Sequence, residues 1–262
     1  MSPTVDSYRI SAKYYDGAYA AMKDLADTSF YCELVRQSGG PVLEIGGGTG
    51  RILLPIAREG IEIHGVDNSA PMLATLKESL TREKSEVRDR VSLHSGDMRD
   101  FRLGRQFPLV TIPFRPMQHR YTVPDQVRAL KSAATHLQND GILAFDVFYP
   151  IERFPLPRGE EQLEVEWSPA PGTVIRRFYR KDSFDKIRQS FTITFIFRVY
   201  REGHLACEEQ ETLSMSYQTY PHLRALFLLA GLEPVAEYGS FARTPLDNDS
   251  EEMIFLLRLL HG

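Results

Sequence analysis

Val42-Leu43-Glu44-Ile45-Gly46-Gly47-Gly48-Thr49-Gly50 is the stretch whose reading decides the fold. A short apolar run ends beside an acid, glycines crowd the next positions, and Arg51-Ile52-Leu53-Leu54-Pro55-Ile56-Ala57 then starts a helical pattern. The order reads as a buried strand, a tight turn and a helix N-terminus. Glycine suits such a turn because it has no Cβ to clash where backbone bends sharply or approaches a ligand. A helix start leaves N–H groups free for a polar or anionic ligand. The turn is therefore a candidate cofactor site, with Glu44, Gly46, Gly47 and Gly48 at its centre.

Outward from this turn, strand and helix patterns alternate. Strand 1 (Pro41–Ile45) leads to a helix ending near Arg58. Strand 2 (Ile61–Val66) ends at Asp67, and Ser69 with Pro71 marks the next helix start. Strand 3 is Val91–His94 and strand 4 is Leu109–Ile112. Pro124 opens a helix whose stripe is Val127, Leu130, Ala134 and Leu137, expected to end at Asn139-Asp140-Gly141. Strand 5 is Ile142–Phe148. This alternation predicts an α/β fold, a Rossmann-like and mostly parallel sheet with helices on both faces.

The pattern changes on either side. Before strand 1, one helix is expected over 20–37, with Met22, Leu25, Phe30, Leu34 and Val35 as its apolar positions. The aromatic cluster Tyr14-Tyr15-Asp16-Gly17-Ala18-Tyr19 precedes it, either capping the domain edge or forming a lid, so residues 1–40 are read as an N-terminal helical lid. After strand 5, prolines such as Pro155 and Pro157 predict irregular chain over 151–162. Residues 173–179, 191–200 and 205–217 then read as strands, with apolar residues alternating over 191–199. An antiparallel sheet of three strands is thus expected as an insertion within 151–220. A helix over Pro221–Ala230 and a final strand pair (Glu233–Phe241, Met253–Leu260) complete a single domain, 1–262.

Composition excludes several classes. The net charge is −4, and no Lys/Arg run forms a basic stripe, which argues against nucleic acid as partner. Two cysteines, Cys32 and Cys207, offer neither a disulfide framework nor a zinc-type spacing, so no metal is expected. No basic, apolar leader opens the chain, and no uncharged run approaches the ~18 residues of a membrane span. A cytoplasmic protein acting on a small molecule is the expectation.

Ligands in such folds sit at the carboxyl ends of the strands. Asp67 ends strand 2, where a carboxylate can accept hydrogen bonds from ribose hydroxyls, with Asn68 beside it. Asp97 follows strand 3, where it can take an adenine amino group while Met98 faces the ring. Pro113-Phe114 follows strand 4. A dinucleotide fingerprint needs G-x-G-x-x-G, but its third glycine position is occupied by Arg51. The spacing Gly46, Gly48, Gly50, with an acid before it, instead resembles motif I of the class I S-adenosylmethionine (SAM) methyltransferases. The resemblance extends over VLEIGGGTGR (42–51), VDNSAPML (66–73), GDMRDFRLGRQF (96–107) and NDGILAFDVF (139–148). It implies SAM as cofactor and a seven-stranded sheet with an antiparallel final hairpin. Together with YDGAY (15–19) and the insertion, it resembles the branch holding amino-sugar N,N-dimethyltransferases and glycine N-methyltransferase. In that branch, tyrosines of the N-terminal segment and the inserted sheet lie over the active site. That resemblance assigns Tyr14 and Tyr19 to cofactor or substrate contact.

The acceptor side is read from 115–121. His119 is the candidate base or orienting group, with Tyr14 as second catalytic candidate, and Arg115 could hold an anionic group. His64, His94 and His136 fall within structural patterns. Ile112-Pro113-Phe114 lacks the polar first residue of the N/D-P-P-Y/F motif, which argues against nucleobase methylation. The expected reaction is methyl transfer to N or O of a small molecule. The alternatives are a catalytically silent SAM-binding module and a protein or RNA methyltransferase. The inserted sheet is expected to act as substrate roof or as the interface of a homodimer.

Overall fold

The computed structural model describes residues 8–22, 25–119, 122–149 and 158–260. In chain order the first elements are α1 (Ser11–Ala21), α2 (Asp27–Ser38), β1 (Val42–Ile45), α3 (Leu53–Arg58), β2 (Ile63–Asp67), α4 (Ala70–Thr81), α5 (Ser85–Arg88), β3 (Val91–Ser95) and β4 (Phe107–Ile112). A 3-10 turn (Pro116–His119), α6 (Val123–Ala134) and β5 (Leu137–Phe148) follow. Then come β6 (Glu161–Ala170), β7 (Thr173–Asp185), β8 (Ser190–Arg201), β9 (His204–Ser216), α7 (Tyr220–Ala230), β10 (Leu232–Tyr238) and β11 (Glu252–Leu259).

The central sheet has seven strands in the order β10-β11-β5-β4-β1-β2-β3. β1 pairs in parallel with both β2 and β4, so the strand order reverses there and a crevice opens at their carboxyl ends. β11 is antiparallel to β5 and β10, as the final pair requires. Alternation along β1 explains the two-sided core. Leu43 and Ile45 join one cluster with Leu130 of α6 and Phe227 of α7. Val42 joins the other with Tyr31 and Val35 of α2 and Leu53 of α3. Each such fully buried side chain contributes roughly 1.5–3 kcal/mol. Helix starts follow the sequence: Ser69 Oγ accepts from Met72 N at 3.4 Å, and Thr122 Oγ1 accepts from Asp125 N at 3.2 Å.

Three expectations are corrected. The inserted sheet has four strands, β6-β7-β8-β9, all antiparallel, not three. β6 is an edge strand with Val165 its one buried residue, so no alternating apolar pattern announces it. The expected helix over 20–37 is two helices, because the chain leaves α1 in extended conformation at Met22. α1 buries Ser11, Ala12 and Ala18, which carry little helical signal. Asn139, Asp140 and Gly141 lie within β5 rather than ending a helix; α6 stops at Ala134. Of the irregular chain expected over 151–162, residues 151–157 lie outside the described residues, while Glu161 and Gln162 already belong to β6.

The insertion has a core of its own, with Phe148, Tyr179, Phe191, Ile193, Leu213 and Met215. It sits against α1: a Cβ on Gly17 would come 2.5 Å from Trp167 Nε1 of β6. Gln118 fastens it to the strand ends. Its side-chain amide donates to Phe148 O (3.1 Å) and Ser216 O (3.2 Å), and its Oε1 accepts from Phe148 N (3.2 Å). No helix among the described residues is long and apolar enough to cross a membrane.

Candidate active site

The glycine turn hangs from β2: Gly46 N and Gly47 N donate to Val66 O at 2.7 and 3.2 Å. Gly46 (φ +81°), Gly48 (φ +53°) and Gly50 (φ +89°) adopt left-handed backbone that glycine reaches without strain. Gly46 has a second reason, since a Cβ there would lie 2.4 Å from Pro116 Cγ. At Gly47 the nearest atom to an added Cβ is 3.7 Å away. Asp67 accepts from Gly48 N through Oδ2 (2.8 Å) and from Ser69 N through Oδ1 (2.7 Å), so its carboxylate lies against the turn and the start of α4. Asn68 is exposed beside it. Asp97 sits at the end of β3 but pairs with Arg99, whose Nη2 is 2.6 Å from Oδ2. Met98 is buried in the core with Phe101.

Glu44 is 2% exposed, and its Oε2 has no hydrogen-bond partner among the described residues. Burial pushes its carboxyl up to about 8, with Arg51 opposing and Asp67 and Asp27 adding to the rise. A buried carboxylate with an unpaired oxygen is costly unless a cation or donor meets it.

The N-terminal helices close over this turn. Asp16 Oδ1 accepts from Thr49 Oγ1 at 2.5 Å. Arg51, the residue that breaks the dinucleotide spacing, donates from Nη1 to the fully buried Asp27 (2.9 Å) and lies over the Phe114 ring at 4.3 Å. Burial alone would lower the Arg51 pKa, but its hydrogen bonds to Asp27 outweigh that and hold it above the ordinary value. Tyr19 meets Phe114 edge-on at 4.8 Å and Tyr15 at 4.4 Å. Arg177 of β7, 3% exposed, covers Tyr19 at 4.6 Å. Tyr14 turns the other way: it stacks on Phe197 (4.5 Å) and donates to Glu209 Oε2 (2.5 Å), both of the inserted sheet. Burial, then that bond to Glu209, raises its hydroxyl pKa above the ordinary range.

Beyond the buried Pro113, Phe114 (φ +63°) and Arg115 (φ +74°) are consecutive non-glycine residues in left-handed conformation. Each costs on the order of 1–3 kcal/mol and persists only where the surroundings determine it. Phe114 N donates to Asp146 Oδ1 at 2.8 Å, and Arg115 pairs with Glu252 of β11. His119 Nε2 lies 2.5 Å from the Tyr8 hydroxyl. Arg120 and Tyr121 lie outside the described residues.

The structure thus joins Gly48 to Asp67, sets Glu44 beside Gly47, packs Tyr19 on Phe114, and places Tyr14 on the inserted sheet and Met98 in the core. The other histidines have structural settings: His64 stacks on His94 at 5.4 Å, and His136 donates from Nδ1 to Ser132 O at 2.7 Å. Sequence reasoning missed Asp16, Asp27, Asp146, Arg177 and Glu252. Only Asp146 carried a signal, an acid inside the apolar run Ile142-Leu143-Ala144-Phe145-Asp146-Val147-Phe148. The donor set fits SAM: a glycine turn bordered by a carboxylate suits a ribose, and the unpaired Glu44 oxygen suits an ammonium.

Residues 42–141 match the model of a methyltransferase domain family. The chain is 32% identical over 148 residues to the dTDP-3-amino-3,4,6-trideoxy-α-D-glucopyranose N,N-dimethyltransferase of Streptomyces venezuelae, covering 55% of this chain and 59% of that one. It is 25% identical to the cypemycin N-terminal methyltransferase of a Streptomyces species, over 84% of this chain and 83% of that one. The alignment with the first of these thus spans about three-fifths of the relative's length. Its fold matches the CcbJ methyltransferase of Streptomyces caelestis with a TM-score of 0.81 at 23% identity, over 98% of this chain and 97% of that one. Residues 42–141 thus match a methyltransferase domain family, and the fold over the described residues is the one seen in the CcbJ methyltransferase.

Proposed function

We propose that this protein transfers a methyl group from SAM to an amine nitrogen of a small polar acceptor of the amino-sugar class. The observation that carries this reading is the chemistry of the acceptor side. The loop after β4 presents an aromatic ring, Phe114, and one imidazole, His119, held by Tyr8 at 2.5 Å. The neighbouring Tyr15 hydroxyl is pushed above its ordinary pKa by burial, so it cannot act as a base near neutrality. An amine attacks through its own lone pair and needs no base for that step, whereas a hydroxyl does. The similarity to an amino-sugar N,N-dimethyltransferase supports the same choice.

When bound, SAM supplies a methyl group already activated by its sulfonium. Asp67 and the Gly46–Gly48 turn would hold the ribose, Glu44 the ammonium, and Phe114 with Tyr19 would enclose the transfer and exclude water. The loop after β4 orients the neutral acceptor nitrogen in line with the transferred methyl. His119 would take the proton that the acceptor nitrogen sheds once methylated.

The test is mass spectrometry of product formed with SAM and a panel of nucleotide-linked amino sugars, other amines, phenols and carboxylic acids. Methyl addition confined to amines is the expected outcome. Transfer only to hydroxyls would overturn the amine reading. SAM binding with no transfer to any acceptor would favour a silent binding module.

A further inference from the structure

Asp146 lies two residues before the end of β5, the strand next to β4, and is fully buried. One of its oxygens is shared by two elements far apart in the chain. Oδ1 accepts from Phe114 N at 2.8 Å and from the Tyr31 hydroxyl of α2 at 2.7 Å. The first donor belongs to the left-handed loop after β4, the second to the N-terminal helices that close over the glycine turn. Tyr31 is itself fully buried, so its hydroxyl has no water as a substitute. Arg115 and Glu252 pair alongside, from the loop and from β11.

We infer that Asp146 is a positioning residue: its Oδ1 fixes the Phe114 backbone in its left-handed conformation and registers that loop against helix α2. It acts as an acceptor, not as a charge. Several observations lead there. The loop has no other strong tether at the Phe114 amide, and consecutive left-handed non-glycine residues need one. Oδ2 has no hydrogen-bond partner among the described residues, so a second carboxylate oxygen is not required by the arrangement. Burial, and then the charge of Glu252, push the Asp146 carboxyl above the ordinary carboxylate range, with Arg115 opposing. Without this acceptor the Phe114 N–H would lose its protein partner, and the Phe114 ring would lose its fixed direction.

The turnover part of this inference rests on the methyltransferase reading; the backbone part does not. The experiment therefore has two readouts on the full chain, hydrogen exchange of the peptide spanning 112–117 and steady-state kinetics with SAM and an accepted amine. Asp146→Asn keeps a carbonyl oxygen for both donors. It is expected to retain exchange protection and kcat within about threefold. Asp146→Ala is expected to speed exchange of that peptide at least about tenfold, and to lower kcat at least about tenfold, while the SAM Kd changes less than about fivefold. A native-like Asp146→Ala protein with unchanged exchange would overturn the inference. So would an Asn variant that loses protection tenfold, because charge would then be the essential property. Should the Ala variant not fold, the Asn variant decides between these outcomes. Should the wild type transfer no methyl to any acceptor, the exchange readout still decides the backbone role.

Discussion

Raising the pH from 6 to 8 should tighten SAM binding by about twentyfold. The reasoning starts at Glu44, whose burial puts its carboxyl at about 8 in the ligand-free protein. Below that value the folded protein holds a proton there that an approaching ammonium must displace. An α-amino group has a pKa of about 7.8. The pair that binds, carboxylate with ammonium, then makes up about 1% of the combined states at pH 6 and about 20% near pH 8. The ratio corresponds to about 1.8 kcal/mol, with affinity falling again at higher pH as the ammonium is lost. Protein stability without ligand moves the opposite way. A carboxyl raised from 4.5 to about 8 contributes fully below the lower value, and that contribution is lost as pH rises through the higher one. Titration calorimetry at pH 6, 7 and 8 measures the affinity. Repeating it in buffers of different ionisation enthalpy counts the released proton. S-adenosylhomocysteine carries the same ammonium and should show the same slope; 5′-methylthioadenosine lacks it and should show none. A SAM Kd that changes less than twofold between pH 6 and 8 would refute the pairing, as would an undiminished slope in Glu44→Gln.

Asp67→Ala should weaken SAM binding by roughly 1–3 kcal/mol, since charge-assisted hydrogen bonds and the anchor of the Gly48 amide are lost together; unchanged affinity by calorimetry would remove Asp67 from the site. Gly46→Ala should abolish SAM binding and lower the melting temperature, because a Cβ would meet Pro116 at 2.4 Å, while Gly47→Ala, with 3.7 Å to its nearest neighbour, should keep the melting temperature within a few degrees. Equal losses in both would mean that the turn conformation rather than the close approach governs. His119→Ala should lower turnover by no more than about tenfold, since an amine needs no base in the methyl-transfer step, with little change in SAM Kd; a larger effect on SAM Kd than on turnover would make His119 a cofactor residue.

The sheet was legible because its order is written locally. Val42, Leu43 and Ile45 put apolar side chains on both sides of β1, as a strand covered by helices on both faces needs, and the glycines of 46–50 mark the turn after it. The strand-end acids Glu44 and Asp67 were legible for the same reason, since they directly follow or lie within recognisable strands. β6 was not, because an exposed edge strand needs no apolar alternation and tolerates Pro169. α1 was not, because it packs through small residues rather than a wide apolar stripe.

The local sequence is enough for the α/β architecture, the place of the glycine turn and the acids beside it. All follow from periodicity and glycine placement within a few residues of one another. Only the tertiary structure decided that Arg51 closes on Asp27, that Tyr14 faces the roof while Tyr19 faces Phe114, and that Asp146 joins Phe114 to Tyr31. These contacts link residues far apart in the chain. Burial gives each its strength, and one sequence records burial on a single element but not which two elements meet.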